Sequence, residues 1–408
     1  MLSRTGVCLV LLSLLLHISC SDGATALVVK PDTVEKGDTA NRTVLVYMAA
    51  ENSLKDYARY DLAEIEEFSV DVPRDCRLFV YVDDGSFPTM YQYFRLTDGE
   101  FGNSVFHLFD TDVCSSDTAA LGHVIDYILK DYPTKKLDLV LWSHGDGWLP
   151  LSRSESPQRS FGIDNGDNSY RNNTVGTIEI DELAALLERL PLKVDRLMFD
   201  ACFMQCVEVV YDLRNSVDWI VASPAEIPAK GADYSSVLQA FFLSDGPEDI
   251  IDLYIKGYET EVAGAVLSVA RPAASVLLAE VTSTYVQKYF NVGKKREYDD
   301  VFAYLPGGKY NGSQKYTSFF DMNSVMAKYL TSDEYVRWRA AFDALVPCVA
   351  YSPRWYSALC GRILTYNVFE GCGVSMFMPQ NNASLTQLNE AFRTTGWYYA
   401  AGWHAAGW

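Results

Sequence analysis

Five short runs of nearly unbroken apolar residues punctuate the first half of the chain: "TVLVYMA" (43–49), "RLFVYVD" (77–83), "LDLVLWS" (137–143), "VDRLMFD" (194–200) and "DWIVAS" (218–223). Continuous rather than alternating hydrophobicity is what a strand covered on both faces requires. Between the runs, "YARYDLAEIEEF" (57–68), "DTAALGHVIDYIL" (117–129) and "EIDELAALLERL" (179–190) repeat apolar residues at helical spacing, with Asp117 and Asp181 placed to favour helix starts. Strand alternating with helix predicts a parallel sheet with helices on both faces. In such sheets ligands bind beyond the carboxyl ends of the strands. "MYQYFRLTDGE" (90–100) reads instead as a hairpin arm.

From Leu149 to Thr177 the pattern stops, and Ser, Asn, Gly and Asp dominate. This predicts a long exposed loop, a functional segment and a site for proteolytic nicking. Beyond Pro224 the spacing predicts helices at 247–263, 272–290, 332–344 and 384–394, with strands at 264–270 and 371–379. This half reads as a continuation of the same domain with added elements.

Composition changes the picture mainly at the edges. With 408 residues, 49% of them hydrophobic, the chain can bury a large core. A net charge of −19 argues against nucleic acid and anionic lipid as partners, since both would be repelled. "MLSRTGVCLVLLSLLLHISC" resembles an export signal ending in a lipidated cysteine, Cys20, although His17 is unusual at its place. The apolar stretch is too short for a permanent span of ~20 residues. The expected organisation is a signal at 1–20, a tether at 21–40, a catalytic core at 41–245 and a C-terminal part at 246–408, exported, with membrane contact only through a lipid anchor. Cys8 and Cys20 belong to the signal, so seven of the nine cysteines remain, and an odd count leaves a thiol outside any disulfide scheme.

Cys202 is the thiol of interest. "RLMFDACFMQCVEVV" reads as strand, tight turn and helix, which places Cys202 where unpaired N–H groups and the helix dipole favour a thiolate. The plainer alternative is a small buried hydrophobe. His144, in "LVLWSHGDGW", leaves the preceding core strand at the same edge, beside Gly145. Consecutive strands are usually adjacent, so a thiol and its base meet although 58 residues separate them. The N–H groups of Gly145 and Cys202 are then candidates for an oxyanion hole.

"LVLWSHGDGW", "IEIDELAALL", "LMFDACFMQCVEV", "DWIVASPAEIP" and "GCGVSMFMP" together resemble the clostripain family of cysteine peptidases. The resemblance implies a caspase-like three-layer αβα sandwich with a largely parallel sheet. It implies His144 as general base, Cys202 as nucleophile, and protein or peptide substrates. It places Asp200 in a pocket for a basic P1 side chain, where the structural alternative is a helix cap, with Glu226 and Asp233 as second candidates. Ser223-Pro224-Ala225-Glu226 departs from the acidic pair many members carry there. Basic specificity would make Arg153, Arg159 and Arg171 candidates for self-cleavage. No cofactor is assigned: calcium is admitted by the resemblance, but "DNGDN" (164–168) lacks the full EF-hand pattern and reads first as a turn. The competing reading is a non-catalytic surface lipoprotein that binds protein or glycan through aromatics such as Trp397 and Tyr398.

Overall fold

The computed structural model describes residues 30–150, 159–166, 176–259, 263–305, 319–358, 362–365 and 371–408. The apolar runs form β1 (Arg42–Ala49) and β2 (Cys76–Asp83), with α1 (Lys55–Phe68) between them. Next come β3 (Thr89–Arg95), β4 (Phe101–Phe106), α2 (Thr118–Asp131) and β5 (Leu137–Trp142). A separate three-stranded sheet is formed by β6 (Gly145–Pro150), β7 (Arg159–Asp164) and β8 (Gly176–Glu179). The chain then returns through α3 (Ile180–Glu188), β9 (Val194–Asp200), α4 (Val207–Asp212) and β10 (Val217–Ala222). The remainder comprises α5 (Tyr234–Leu243), α6 (Glu248–Lys256), β11 (Val266–Ala270), α7 (Ser275–Tyr289), β12 (Phe320–Asp321), α8 (Met322–Tyr329), α9 (Ser332–Leu345) and β13 (Cys348–Tyr351). Two short pairings, β14 (Arg354–Ser357) with β15 (Arg362–Thr365) and β12 with β16 (Ser375–Met376), precede α10 (Thr386–Phe392) and α11 (Gly396–Ala400).

Nine strands form the main sheet in the order β13-β11-β10-β9-β5-β1-β2-β3-β4. The five central strands run parallel, and β3, β4, β11 and β13 extend the edges antiparallel. Alternation within β1 shows how two cores arise from one continuous apolar run. Leu45, Tyr47 and Ala49 pack with α2, α3, α4 and α7, whereas Val44, Val46 and Met48 pack with α1, α5 and α6. The result is the expected αβα sandwich, with β11 and β13 from the second half sharing the same sheet.

The structure corrects several expectations. Residues 149–177 are not simply an exposed loop, because β7 crosses them with Phe161 and Asp164 buried. A single apolar anchor amid Ser, Gly and Asp carries too little pattern to announce a strand. The helix expected at 247–263 stops at Lys256, ahead of Gly257, and only Ser375–Met376 of the 371–379 run pairs as strand. The expectations contain no counterpart of α5, although Tyr234, Val237, Leu238 and Phe241 stand at helical spacing within its short "YSSVLQAFFL".

Candidate active site

Trp142 at the end of β5 pairs with Asp200 at the end of β9. Two residues beyond each lie His144 and Cys202, so the backbones that carry them leave adjacent parallel strands side by side. Their contact is tight: a Cβ on Gly145 would stand 2.7 Å from the Cys202 carbonyl oxygen and 3.0 Å from the Ala201 Cβ. Glycine is required here because two backbones converge. The His144 carbonyl accepts from Gly162 N–H at 2.9 Å, which makes Gly145 and Phe161 a non-hydrogen-bonded pair and leaves the Gly145 N–H unspent on that ladder.

Cys202 does not sit at a helix N-terminus, contrary to the sequence reading. α4 begins at Val207 with Cys206 at its N-cap, and the intervening turn contains Phe203 at φ 61°. A left-handed bulky residue is costly, and Phe203 offsets that by burying its ring against Phe319, 4.4 Å between centroids. Without the helix dipole, the half-buried Cys202 thiol is pushed up to about 12 by burial, opposed by the Ile227 N–H and reinforced by the charges of Glu226, Asp146 and Asp200. Ile227 N–H donates to Sγ at 3.4 Å.

His144 is partly exposed, and burial lowers its pKa below the ordinary 6.5. Its Nε2 lies 2.9 Å from Ser53 Oγ, in the turn between β1 and α1. No hydrogen bond joins the ring to the thiol, so both groups are engaged elsewhere. Asn52 fixes that turn, its Nδ2 donating to the carbonyls of Ala49 and Ile163 and to Ser143 Oγ.

The three carboxylates predicted for a substrate pocket are all committed within the protein. Asp200 is buried and accepts from Tyr254 Oη (3.0 Å), Tyr234 Oη (3.1 Å) and Ala232 N–H (3.1 Å), facing α5 and α6 rather than capping a helix. Glu226, also buried, accepts from Ser357 Oγ, and Asp233 caps α5. Asp146 joins the charges around the thiol although sequence reasoning passed over it; its place in "SHGDGW" was the available signal. Ser53 had none, lying 91 residues from His144. Arg153, Arg171 and Cys20 lie outside the described residues; Arg159 opens β7, its side chain likewise outside them. Among the described residues, Cys76, Cys202, Cys206, Cys348 and Cys372 are free thiols.

A doubly covered sheet that delivers a cysteine and a histidine from neighbouring strand ends defines a caspase-like cysteine peptidase. The chain belongs to the clostripain family, whose pattern it matches over residues 46–408. It is similar to a secreted C11 cysteine protease from Bacteroides thetaiotaomicron solved with an irreversible peptide inhibitor: TM-score 0.75, 28% identity, 89% of this chain and 99% of that one. An inactive zymogen C11 protease from Parabacteroides distasonis aligns with TM-score 0.73 and 26% identity over 89% and 99% of the two chains. Clostripain of Hathewaya histolytica is 28% identical over 150 residues, 35% of this chain but only 28% of that protein's length. Among the described residues no helix is long and apolar enough to cross a membrane.

Proposed function

We propose that the chain is an exported cysteine endopeptidase, held in a latent arrangement, that cleaves after Arg or Lys. The observation that carries the reading is the Trp142–Asp200 pairing, which sets His144 and Cys202 side by side at the carboxyl edge of the sheet. In the reaction, the Cys202 sulfur attacks the scissile carbonyl as its proton passes to His144. The C–N bond breaks, His144 gives that proton to the departing amine, and water hydrolyses the thioester. The N–H groups of Gly145 and Cys202 hold the developing oxyanion.

Basic specificity is supported by the charges nearest the thiol, Glu226, Asp146 and Asp200, all negative. Such a surrounding attracts a cationic side chain through its field, without direct pairing to the engaged carboxylates. Latency is supported by the engagement of His144 with Ser53 and by the raised thiol pKa. Processing at Arg153 or Arg171 would relieve it. Arg159 is the poorest of the three sites, because it pairs with Pro150 in the β6–β7 ladder. A lipid on Cys20 would tether the enzyme to the cell envelope.

The test compares wild-type and Cys202→Ala proteins on fluorogenic peptides with Arg, Lys, Leu or Asp at P1, alongside fragment mapping. Hydrolysis after Arg and Lys by the wild type alone, with fragments ending within 151–175, supports the reading. Activity that survives in Cys202→Ala removes the nucleophile assignment. A wild type inert towards all four peptides and towards alkylation favours the binding-protein alternative.

A further inference from the structure

The aromatic tail of the chain takes no part in peptide cleavage, and it leads to a cavity. Trp397 and Tyr398, the tail aromatics singled out in the sequence, are buried and offer no contact surface. Trp408 is different. It lines a hollow of about 450 Å³ together with the loop that follows α7 and the segment 379–382 that follows β16. None of the lining residues belongs to the catalytic edge. We propose that this hollow binds the acid-bearing unit of a saccharide, carboxylated or sulfated, and so gives the peptidase a foothold on acidic glycan.

The charge of the lining selects an anion. Every charged residue in it, Lys294, Lys295 and Arg296, is a cation, although the chain as a whole carries −19. Glu297, Asp299 and Asp300 follow in the chain but do not line it. Among the described residues neither Lys294 nor Arg296 pairs with a carboxylate, and Lys295 meets Glu297 only at 4.0 Å. Instead, Lys294 Nζ donates to the Lys288 carbonyl at 2.6 Å. The Arg296 guanidinium donates to the carbonyls of Tyr289 and Lys295 and lies over the Tyr329 ring, 5.4 Å from its centroid. Its Nε is buried without a hydrogen-bond partner among the described residues. Backbone carbonyls thus position these cations and leave their charge uncompensated, and a planar guanidinium so held suits a carboxylate or a sulfate.

The groups beside the cations favour a sugar over a peptide. Gln380, Asn381 and Asn382 bring three side-chain amides, each both donor and acceptor, as hydroxyl groups require. No lining residue lies in a strand, so an extended peptide finds no edge to pair with. The volume falls within the ~300–1,000 Å³ of small-molecule sites. A neighbouring hollow of about 300 Å³ shares Asn381 and Asn382 and carries one charge of each sign, Glu390 and Arg393. Asn389 also lines it, and its Oδ1 is buried without a partner among the described residues. This hollow suits the neutral continuation of a longer saccharide.

The cradle is set before any ligand arrives. Val292 N–H donates to the Ala406 carbonyl at 2.9 Å, Trp408 Nε1 donates to the Phe290 carbonyl at 2.6 Å, and Tyr398 Oη donates to the Trp408 main-chain oxygen. Gly407, at φ +89°, lets the tail lie close, since a Cβ there would stand 2.9 Å from Val292 Cγ1. Loop and tail are tied to each other, so binding has little left to order.

The experiment uses the intact Cys202→Ala chain, so that no self-cleavage intervenes, and calorimetry with trigalacturonic acid, a galactose sulfate, neutral maltotriose and hexaglutamate as probes. One or both acidic sugars should bind with Kd below about 1 mM, more weakly as salt rises, while maltotriose and hexaglutamate do not. Binding of the uronate alone assigns the anion as carboxylate, and binding of the sulfated sugar alone assigns it as sulfate. Lys294→Gln and Arg296→Gln should each weaken that binding about tenfold or more, with a smaller loss in Asn381→Ala and none in the remote Lys193→Gln. Lys294 and Asn381 are exposed, so their replacement spares the fold, and circular dichroism checks each variant. Failure of both acidic sugars to bind at millimolar concentration, equal binding by wild type and Lys294→Gln, or hexaglutamate binding as tightly as the sugars overturns the proposal. Peptide hydrolysis is not a readout, so the outcome is independent of the catalytic assignment.

Discussion

Ser53 Oγ and His144 Nε2 stand 2.9 Å apart, so the imidazole nitrogen is held by a hydroxyl from the turn after β1, the strand next to β5. A neutral hydrogen bond of this kind contributes about 0.5–1.5 kcal/mol. Removing it with Ser53→Ala should release the ring towards the thiol and speed iodoacetamide labelling of Cys202 in the uncleaved chain roughly two- to tenfold. Mass-resolved labelling kinetics at pH 7 read this directly. An unchanged rate would mean that the hydroxyl does not restrain the ring.

The two proposed catalytic groups make separable predictions. Cys202→Ala should abolish hydrolysis, whereas Cys206→Ala should retain it, because the Cys206 thiol lies buried at the α4 N-cap. His144→Ala should lower kcat/KM by about 10²–10⁴-fold. A base acts when deprotonated, and burial lowers the histidine below 6.5, so the acid limb of the wild-type profile should fall below that pH. Loss of this limb in His144→Ala, seen in kcat/KM measured across pH, would confirm its origin.

Stability should carry its own pH signature at Asp61. This carboxyl lies on the buried face of α1, accepts from Trp142 Nε1 at 2.7 Å, and is pushed up to about 9 by burial, then by Asp200 and Glu64. Above its ordinary 3.8 the unfolded chain releases a proton that the folded chain keeps, so this contribution is full below 3.8 and is lost as pH rises through about 9. Asp61→Asn keeps the acceptor without the charge. It should raise Tm by a few degrees at pH 8 and have little effect near pH 4, as thermal melts over that range would show.

Beneath the opposite edge of the sheet, Asp138 joins two cations. It is fully buried and accepts from Arg42 and Arg196, each at 2.5 Å, with Arg196 N–H adding a third bond at 3.1 Å. Asp138→Ala leaves the buried Arg196 guanidinium without a counter-charge and Arg42 with Asp195 alone, and should cost about 3–5 kcal/mol in urea unfolding. Replacement of Lys193, whose ion pair with Asp218 is exposed, should cost less than about 1 kcal/mol.

What the chain revealed in advance follows from where its patterns are local. The five central strands were readable because burial on both faces demands unbroken apolar runs. His144 and Cys202 followed from the topology, since each lies just past such a run. The turn after Asp200 was not readable: Phe203 alone turns left-handed, its ring stacked on Phe319, which is remote in sequence, and the helix starts only at Val207. Ser53 was equally hidden, because it follows β1 whereas His144 follows β5, and nothing along the chain links them. Asp200 was found, but only its tyrosine partners on α5 and α6 reveal that both its oxygens are engaged.

One feature of the sheet order bears on how the molecule could be made. β5 and β9 are immediate neighbours, in register from Asp138–Arg196 to Trp142–Asp200, although the chain between them detours through β6, β7, β8 and α3. Ladder hydrogen bonds and a shared core, not the connecting peptide, hold these strands edge to edge. The protein should therefore tolerate being encoded as two genes, one ending and the other beginning within residues 151–158, with the pieces assembling when co-expressed. Such a pair would place the histidine and the cysteine on separate polypeptides, so that neither alone could hydrolyse a substrate and activity would report their association.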